Sequence, residues 1–228
     1  MKENSYCALL DHDSIKMRHP KNVNKIVTLY RIIATRTFKV PHHDKTIQKY
    51  DIGGYVESLD NLGDEPVWLE NSARVFDTAK ITNGSLLSGV ALVFGTAKVN
   101  NSFITDHCRV HGNALVEDSI VLNYAEIKDD AIVSLKSCIK NTTKIFGSAI
   151  IHNSEFTVAS SARDTCIVEN SKIGDLCEIS GDAKVTNCKY SGRVIINSGE
   201  HINETIDKDL NLKIYEEIDE STHSEYNI

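Results

Sequence analysis

The 228-residue sequence contains no long apolar run, and that absence removes the most function classes at once. A membrane-crossing helix needs about 20 consecutive apolar residues, and no window comes near that. The opening stretch MKENSYCALLDHDSIKMRHP lacks even the shorter apolar core of an export leader. A cytoplasmic protein with no membrane partner is expected. An excess of basic residues is also missing: 32 acidic side chains against 25 Lys and Arg give a net charge of −7, the wrong sign for a surface that binds a nucleic-acid polymer. The six cysteines have no paired short spacings, so free thiols are expected rather than disulfides or a zinc site. There is no P-loop and no G-x-G-x-x-G after a strand, which leaves nucleotide-cofactor enzymology without support. Two histidine-bearing stretches, LDHDS at 10–14 and PHHD at 41–44, hold too few spaced ligands for a metal centre and read as solvated loops.

What the sequence does have is repetition. A small residue followed two places later by an aliphatic one recurs as Ala73/Val75, Ala79/Ile81, Ser85/Leu87, Ala91/Val93, Ala97/Val99, Ser102/Ile104, Cys108/Val110, Ala114/Val116 and Ser119/Val121. Three such steps make a longer period: Ser102, Ser119, Ser137, Ser154, Ser171 and Cys188 are spaced 17, 18, 17, 17 and 17. A helix would need apolar spacings of three and four, whereas alternation at period two broken by Gly or polar positions gives short strands and tight corners. One coil has no way to bury its inward row alone, so the coils must stack in parallel around a common core. The expected fold is all-β, a three-sided parallel β-helix of about seven coils and about 34 Å in height.

Corners explain the recurring polar positions. Asn101, Asp118, Asn153, Asn170 and Asn187 precede the small residue at one corner, where an Asx side chain tolerates left-handed backbone. Gly95, Gly112, Gly147 and Gly181, with Asp77, Asp129 and Asp164 in the other coils, occupy another. The residues between corners then divide into three faces. The first points mostly charged residues outward. The second presents Leu115, Ile132, Ile150 and Ile167 on four consecutive coils, and the third presents Leu86, Phe103 and Ile120 before turning charged. Apolar stripes of this kind mark an interface, and these seven residues are the expected contacts of an oligomer. The alternative is that an N- or C-terminal segment of the same chain covers one stripe.

Residues 1–66 lack the repeat. KIVTLYRIIATRTF reads as one or two strands, and the whole segment is expected to cap the open end of the coil domain at 67–200. Residues 201–228 form an acidic tail, expected to be partly mobile, in which LNLKIYEEI is placed to close the last coil. The six-residue steps resemble the hexapeptide repeat of left-handed β-helix proteins. LYRIIATRTF, then Asp51 to Ser58 with its Gly53-Gly54 pair, then Asn61-Leu62 and Trp68, resemble an enterobacterial and bacteriophage group of such proteins, YdcK-like, whose members are often labelled transferases or acyltransferases. The resemblance spans roughly residues 28–200. It implies a left-handed coil and a homotrimer with parallel axes. It supplies no catalytic residues of its own.

Two sets of site residues follow. Phe76, Phe94, His111, Lys128, Phe146, Arg163 and Ser180 stack on one corner. Of these, Phe94, His111, Lys128, Phe146 and Arg163 suit a small anionic ring-bearing ligand, by stacking and by charge-assisted hydrogen bonds. The preferred reading is a non-enzymatic trimeric binding protein for a nucleotide-type signal, held without a cofactor between subunits. The bacteriophage resemblance implies that a host immune signal is sequestered. In the alternative, hexapeptide-type acyl transfer from acyl-CoA, His111, His107 or His152 serves as general base. A third reading is a structural or protein-binding module.

Overall fold

The computed structural model describes residues 3–207. Among them there is no α-helix, and the strands close into three parallel sheets that form the sides of a β-helix. The stack is taller than expected, with nine coils rather than seven, because Ile52–Val56 already supplies a rung above Trp68 and Thr205–Ile206 a rung below Lys189–Tyr190. At about 4.8 Å per coil this is a prism about 43 Å tall. Every inward small or aliphatic residue of the repeat is buried, from Ala73 and Val75 through Ala183 and Val185. Cys108, Cys166, Cys177 and Cys188 fill inward positions, while Cys138 is half-exposed. Burial pushes the Cys108 thiol up to about 12 and the Cys166 thiol to about 11, despite hydrogen bonds to nearby backbone. These thiols are inert core fillers.

The serine ladder has a backbone cause. Asn101 and Asp118 take φ of +43° and +47°, and this turn leaves the next buried amide without a partner among its own coil's carbonyls. The serine of the preceding coil accepts it: Ser102 N donates to Ser85 Oγ at 3.2 Å, and Ser119 N to Ser102 Oγ at 3.1 Å. Each hydroxyl in turn donates to a carbonyl of its own turn, as Ser119 Oγ does to Glu117 O at 2.7 Å. Alanine could pack there, but it would orphan one buried donor per coil. At the Gly corner, Gly112 has φ +74°, and a Cβ on it would sit 2.8 Å from the Asp129 amide nitrogen of the next coil. Close stacking at that corner requires the bare backbone.

The N-terminal residues build two further layers. Strands β1 (Cys7–His19) and β2 (Asn22–Ala34) form a long hairpin closed by Pro20 and Lys21, and β2 pairs antiparallel with β5 (Ile52–Val56), extending the first face upward. The hairpin is irregular. In β1 the register jumps between Leu10 and Ser14, so the LDHDS stretch is a bulge, with Asp13 3.0 Å from Arg31. In β2 a shift between Arg31 and Ile33 exchanges the buried set, from Val27 and Leu29 to Ile32 and Ala34. The second layer is a short hairpin of β3 (Phe38–Val40) and β4 (Lys45–Ile47). Phe38, Val40 and Ile47 join Trp68 and Leu86 in the main core. The expected cap is thus continuous with the core of the coils. No helix of the described residues is long and apolar enough to cross a membrane. The expectations for the acidic tail past residue 207 lie outside the described residues.

Candidate functional site

The three faces differ in what covers them. On the third face, Leu86 is buried beneath β3 and β4, Phe103 is half-buried with the His43 ring 5.9 Å away, and Ile120 is 43% exposed. The N-terminal segment therefore occupies the head of this stripe. On the second face nothing among the described residues lies over Leu115, Ile132, Ile150 and Ile167. They pair in register from strand to strand and are all half-exposed. Lys80 and Lys98 bound this apolar ladder above and Lys184 below. Beside it runs a polar ladder of the same strands, in which Asn100 donates to Glu117 at 2.6 Å and Ser134 Oγ lies 2.6 Å from His152 Nδ1.

The corner column exists, but the chain itself closes its upper half. Phe76 and Phe94 stack at 5.0 Å with an interplanar angle of 2°, and Phe94 stacks on His111 at 4.7 Å. Val27, Leu29, Ile15 and Met17 of the long hairpin cover them, leaving Phe76 0%, Phe94 2% and His111 2% exposed. At the hairpin turn, His19 packs edge-on against both phenylalanines. The expectation that Phe94 and His111 face a ligand is therefore not met in this chain: both are sealed in a secondary core. His111 Nε2 lies 3.0 Å from Glu126 Oε1, and that hydrogen bond, against a smaller opposing effect of burial, holds the Glu126 carboxyl below its usual value. The missed signal is the alternation of Ile15, Met17, Val27 and Leu29, which marks a second buried surface without naming its partner.

Below His111 the column opens. The Lys128 ammonium lies 5.1 Å from the centre of the half-buried Phe146 ring. One coil further, Arg163 donates to Glu178 at 2.6 and 2.9 Å and to Asp164 at 3.2 Å. Phe146 and Arg163 share a groove of about 510 Å³ with Thr142, Lys144, Ser160, Ser161 and Glu178. The histidines do not converge. His107 is exposed at the third-to-first corner, stacked on Tyr124 at 4.7 Å, while His152 belongs to the polar ladder of the second face and His111 is buried. Among the described residues no group of three or more His, Cys, Asp and Glu could hold a metal ion.

A family model described as GlmU-like, C-terminal hexapeptide matches residues 72–145. With the nine stacked coils, the match supports a β-helix built on hexapeptide repeats. No curated protein matches the chain.

Proposed function

We propose that the chain is a self-associating binding module. In this reading three copies pack with parallel axes through the second face, burying Leu115, Ile132, Ile150 and Ile167, and each holds a small anionic, ring-bearing ligand of nucleotide type at the open half of the corner column. The observation that carries it is the contrast within that column. The hairpin buries Phe76 and Phe94, yet Phe146 keeps an open ring with a cation above it and a guanidinium one coil below. A half-buried aromatic between Lys128 and Arg163 suits a planar ring with an attached anion, and Arg163 would exchange Glu178 for the ligand's charge. The unbroken ladder of Leu115, Ile132, Ile150 and Ile167 supports self-association, since hexapeptide-repeat proteins often form trimers.

The test is calorimetry with a panel of nucleotides on wild type, Phe146→Ala, Lys128→Ala and Arg163→Ala. Loss of stacking costs roughly 1 to 3 kcal/mol, and the two cation losses are expected to weaken binding in a salt-dependent way. Equal affinity in all four proteins for every ligand found would end this reading. The Ser134–His152 hydrogen bond beside the same face favours one other reading, acyl transfer from acyl-CoA with His152 as general base. A thiol-release assay on His152→Ala separates the two: the base is worth roughly a hundredfold to ten-thousandfold in turnover, and it contributes nothing to a pure binder.

A further inference from the structure

Two departures from the repeat meet on one groove, on the corner opposite the phenylalanine column. The first is the 41–44 loop between β3 and β4, the PHHD stretch. It is seated on the coil backbone at Gly84, where an added Cβ would lie 2.6 Å from the Pro41 carbonyl oxygen and where φ is +76°. The second is an extra residue at the same corner: Asn101, Asp118, Asn153 and Asn170 each stand there as a lone left-handed residue, whereas Leu135 and Lys136 are both left-handed, at φ +57° and +66°, as Asn83 and Gly84 are nearer the head. Left-handed backbone is unfavourable for such side chains; Val158 and Ala159 carry the same strain at another corner, but Leu135 and Lys136 are the pair that lines this groove. Leu135 stands exposed midway along the groove, which runs on to Asn153 and Asn170, and the His42–His43 loop lies at its head.

The groove between them has a volume of about 840 Å³. One wall is apolar, made by Phe103, Ile120 and Leu135, and the opposite one is the Asx corner of Asn101, Asp118, Asn153 and Asn170. The polar groups at its head are unbalanced. Asn101 spends its amide hydrogens on Asp118 at 2.5 Å, and its Oδ1 has no partner among the described residues. The Gly84 carbonyl beside the His43 ring favours the hydrogen on the nitrogen that faces it, which leaves the lone pair on Nε2, and Nε2 too has no partner among the described residues. Burial first, and the neighbouring His42 second, push the His43 pKa below the ordinary histidine value, which keeps Nε2 an acceptor at neutral pH. Two shielded acceptors beside the Asp118 carboxylate thus lack donors, a costly arrangement that an incoming N–H or O–H group would relieve.

We propose that this groove is a second ligand site, for a small molecule with a hydrogen-bond-donating head, a primary amine above all, and an apolar body. The head enters beneath the 41–44 loop, toward His43 Nε2 and Asn101 Oδ1, and the body lies along Phe103, Ile120 and Leu135. The site is separate from the column that holds Phe146 and does not depend on it. At the head an anion would face the Asp118 carboxylate and the same two acceptors, while Lys136 lines the groove one coil below Asp118, so the two sites differ in the sign of charge their heads take.

The experiment titrates the full chain, with ¹⁵N-labelled histidine, with 2-phenylethylamine and with phenylacetate, which share an aromatic body but differ in the head. The amine is expected to move the His43 ring signals saturably, and phenylacetate to leave them in place. His43→Phe, which keeps a ring against Phe103 but removes the acceptor, is expected to lower amine affinity about tenfold or more. Gly84→Val, which displaces the loop, is expected to do the same, while Phe146→Ala leaves amine binding unchanged. Unmoved His43 signals in the wild-type protein, phenylacetate binding as tight as the amine, or full affinity in a normally melting His43→Phe protein would each overturn the proposal.

Discussion

His19 Nε2 lies 2.9 Å from the Asp77 carboxylate, 58 residues away in sequence. The other ring nitrogen, Nδ1, accepts from the backbone amides of Lys21 and Asn22 at 3.1 Å each, so Nε2 carries the hydrogen and donates to Asp77 from a neutral ring. Lys25 also pairs with Asp77, and Asp77 in turn accepts from the Gly95 amide at 3.0 Å. One carboxylate at the first Asp of the Gly corner therefore pins the tip of the hairpin over the phenylalanine stack.

That pin makes the hairpin sensitive to acid. Burial alone would favour a protonated Asp77, but the hydrogen bonds from Lys25, His19 and Gly95 outweigh it and hold the carboxyl below its ordinary value of 3.8. A carboxyl with a depressed folded pKa adds stability that is present above the unfolded value and lost as pH falls through the folded one. Amide exchange in residues 14–29 is expected to accelerate below about pH 4 in the wild type. In Asp77→Asn it is expected to be fast already at neutral pH and to respond less to acid.

Phe94→Ala empties the middle of the stack between Phe76 and His111. The expected loss is about 3 to 5 kcal/mol, read as a lower denaturant midpoint. His111→Phe keeps the stack and removes a buried ring nitrogen, Nδ1, that has no partner among the described residues. It is expected to cost under about 1.5 kcal/mol, a result that would separate a packing role for this residue from a catalytic one.

Ala131→Asp places a carboxylate in the fully buried inward row of the fourth coil below β5. An unpaired charge there costs several kcal/mol, and the variant is expected to be insoluble or to melt far below wild type.

Ile132→Lys with Ile150→Lys puts like charges on adjacent rungs of the second face, whose Cα atoms pair directly. In an assembly that buries this face the charges cannot be solvated. Sedimentation is expected to report monomers with unchanged β-rich circular dichroism, and an oligomer equal to wild type would exclude this face as the interface.

The coil architecture was readable because each of its rules is local. A 17-residue step, an Asx or Gly at the corner and a small-x-aliphatic strand each follow from backbone geometry within a few residues. The faces were readable for the same reason, since side-chain direction alternates along a strand. What covers them was not. Phe76, Phe94 and Phe146 occupy equivalent positions in the repeat, and only the reach of a hairpin far earlier in the chain decides that two are buried and one is half-exposed. Within β2 the bulge at Ile32 switches the buried parity, so the alternation in KIVTLYRIIA fits two faces at once and names neither. The coil count fell short because the rung at Gly54-Tyr55-Val56, though small-x-aliphatic itself, pairs with Arg74-Val75 across 19 residues and so falls outside the 17- and 18-residue steps; a Cβ on Gly54 would lie 2.5 Å from the Ala73 carbonyl oxygen, which is why glycine holds that small position.

The hairpin over Phe76 and Phe94 also sets an order on biosynthesis. A chain leaves the ribosome from its N-terminus, and domains built from local contacts can organise as they emerge. Here the first 34 residues cannot finish, because β2 needs β5 as its edge partner and Val27 and Leu29 need a ring at position 94. Until Phe94 has been made, an apolar ribbon with a free edge waits beside its neighbours on the same message, and edge pairing between nascent chains competes with docking onto the coil. Each later coil, resting only on the one before it, adds to a template that already exists, so the exposure to misassembly is concentrated between the synthesis of the hairpin and that of Phe94.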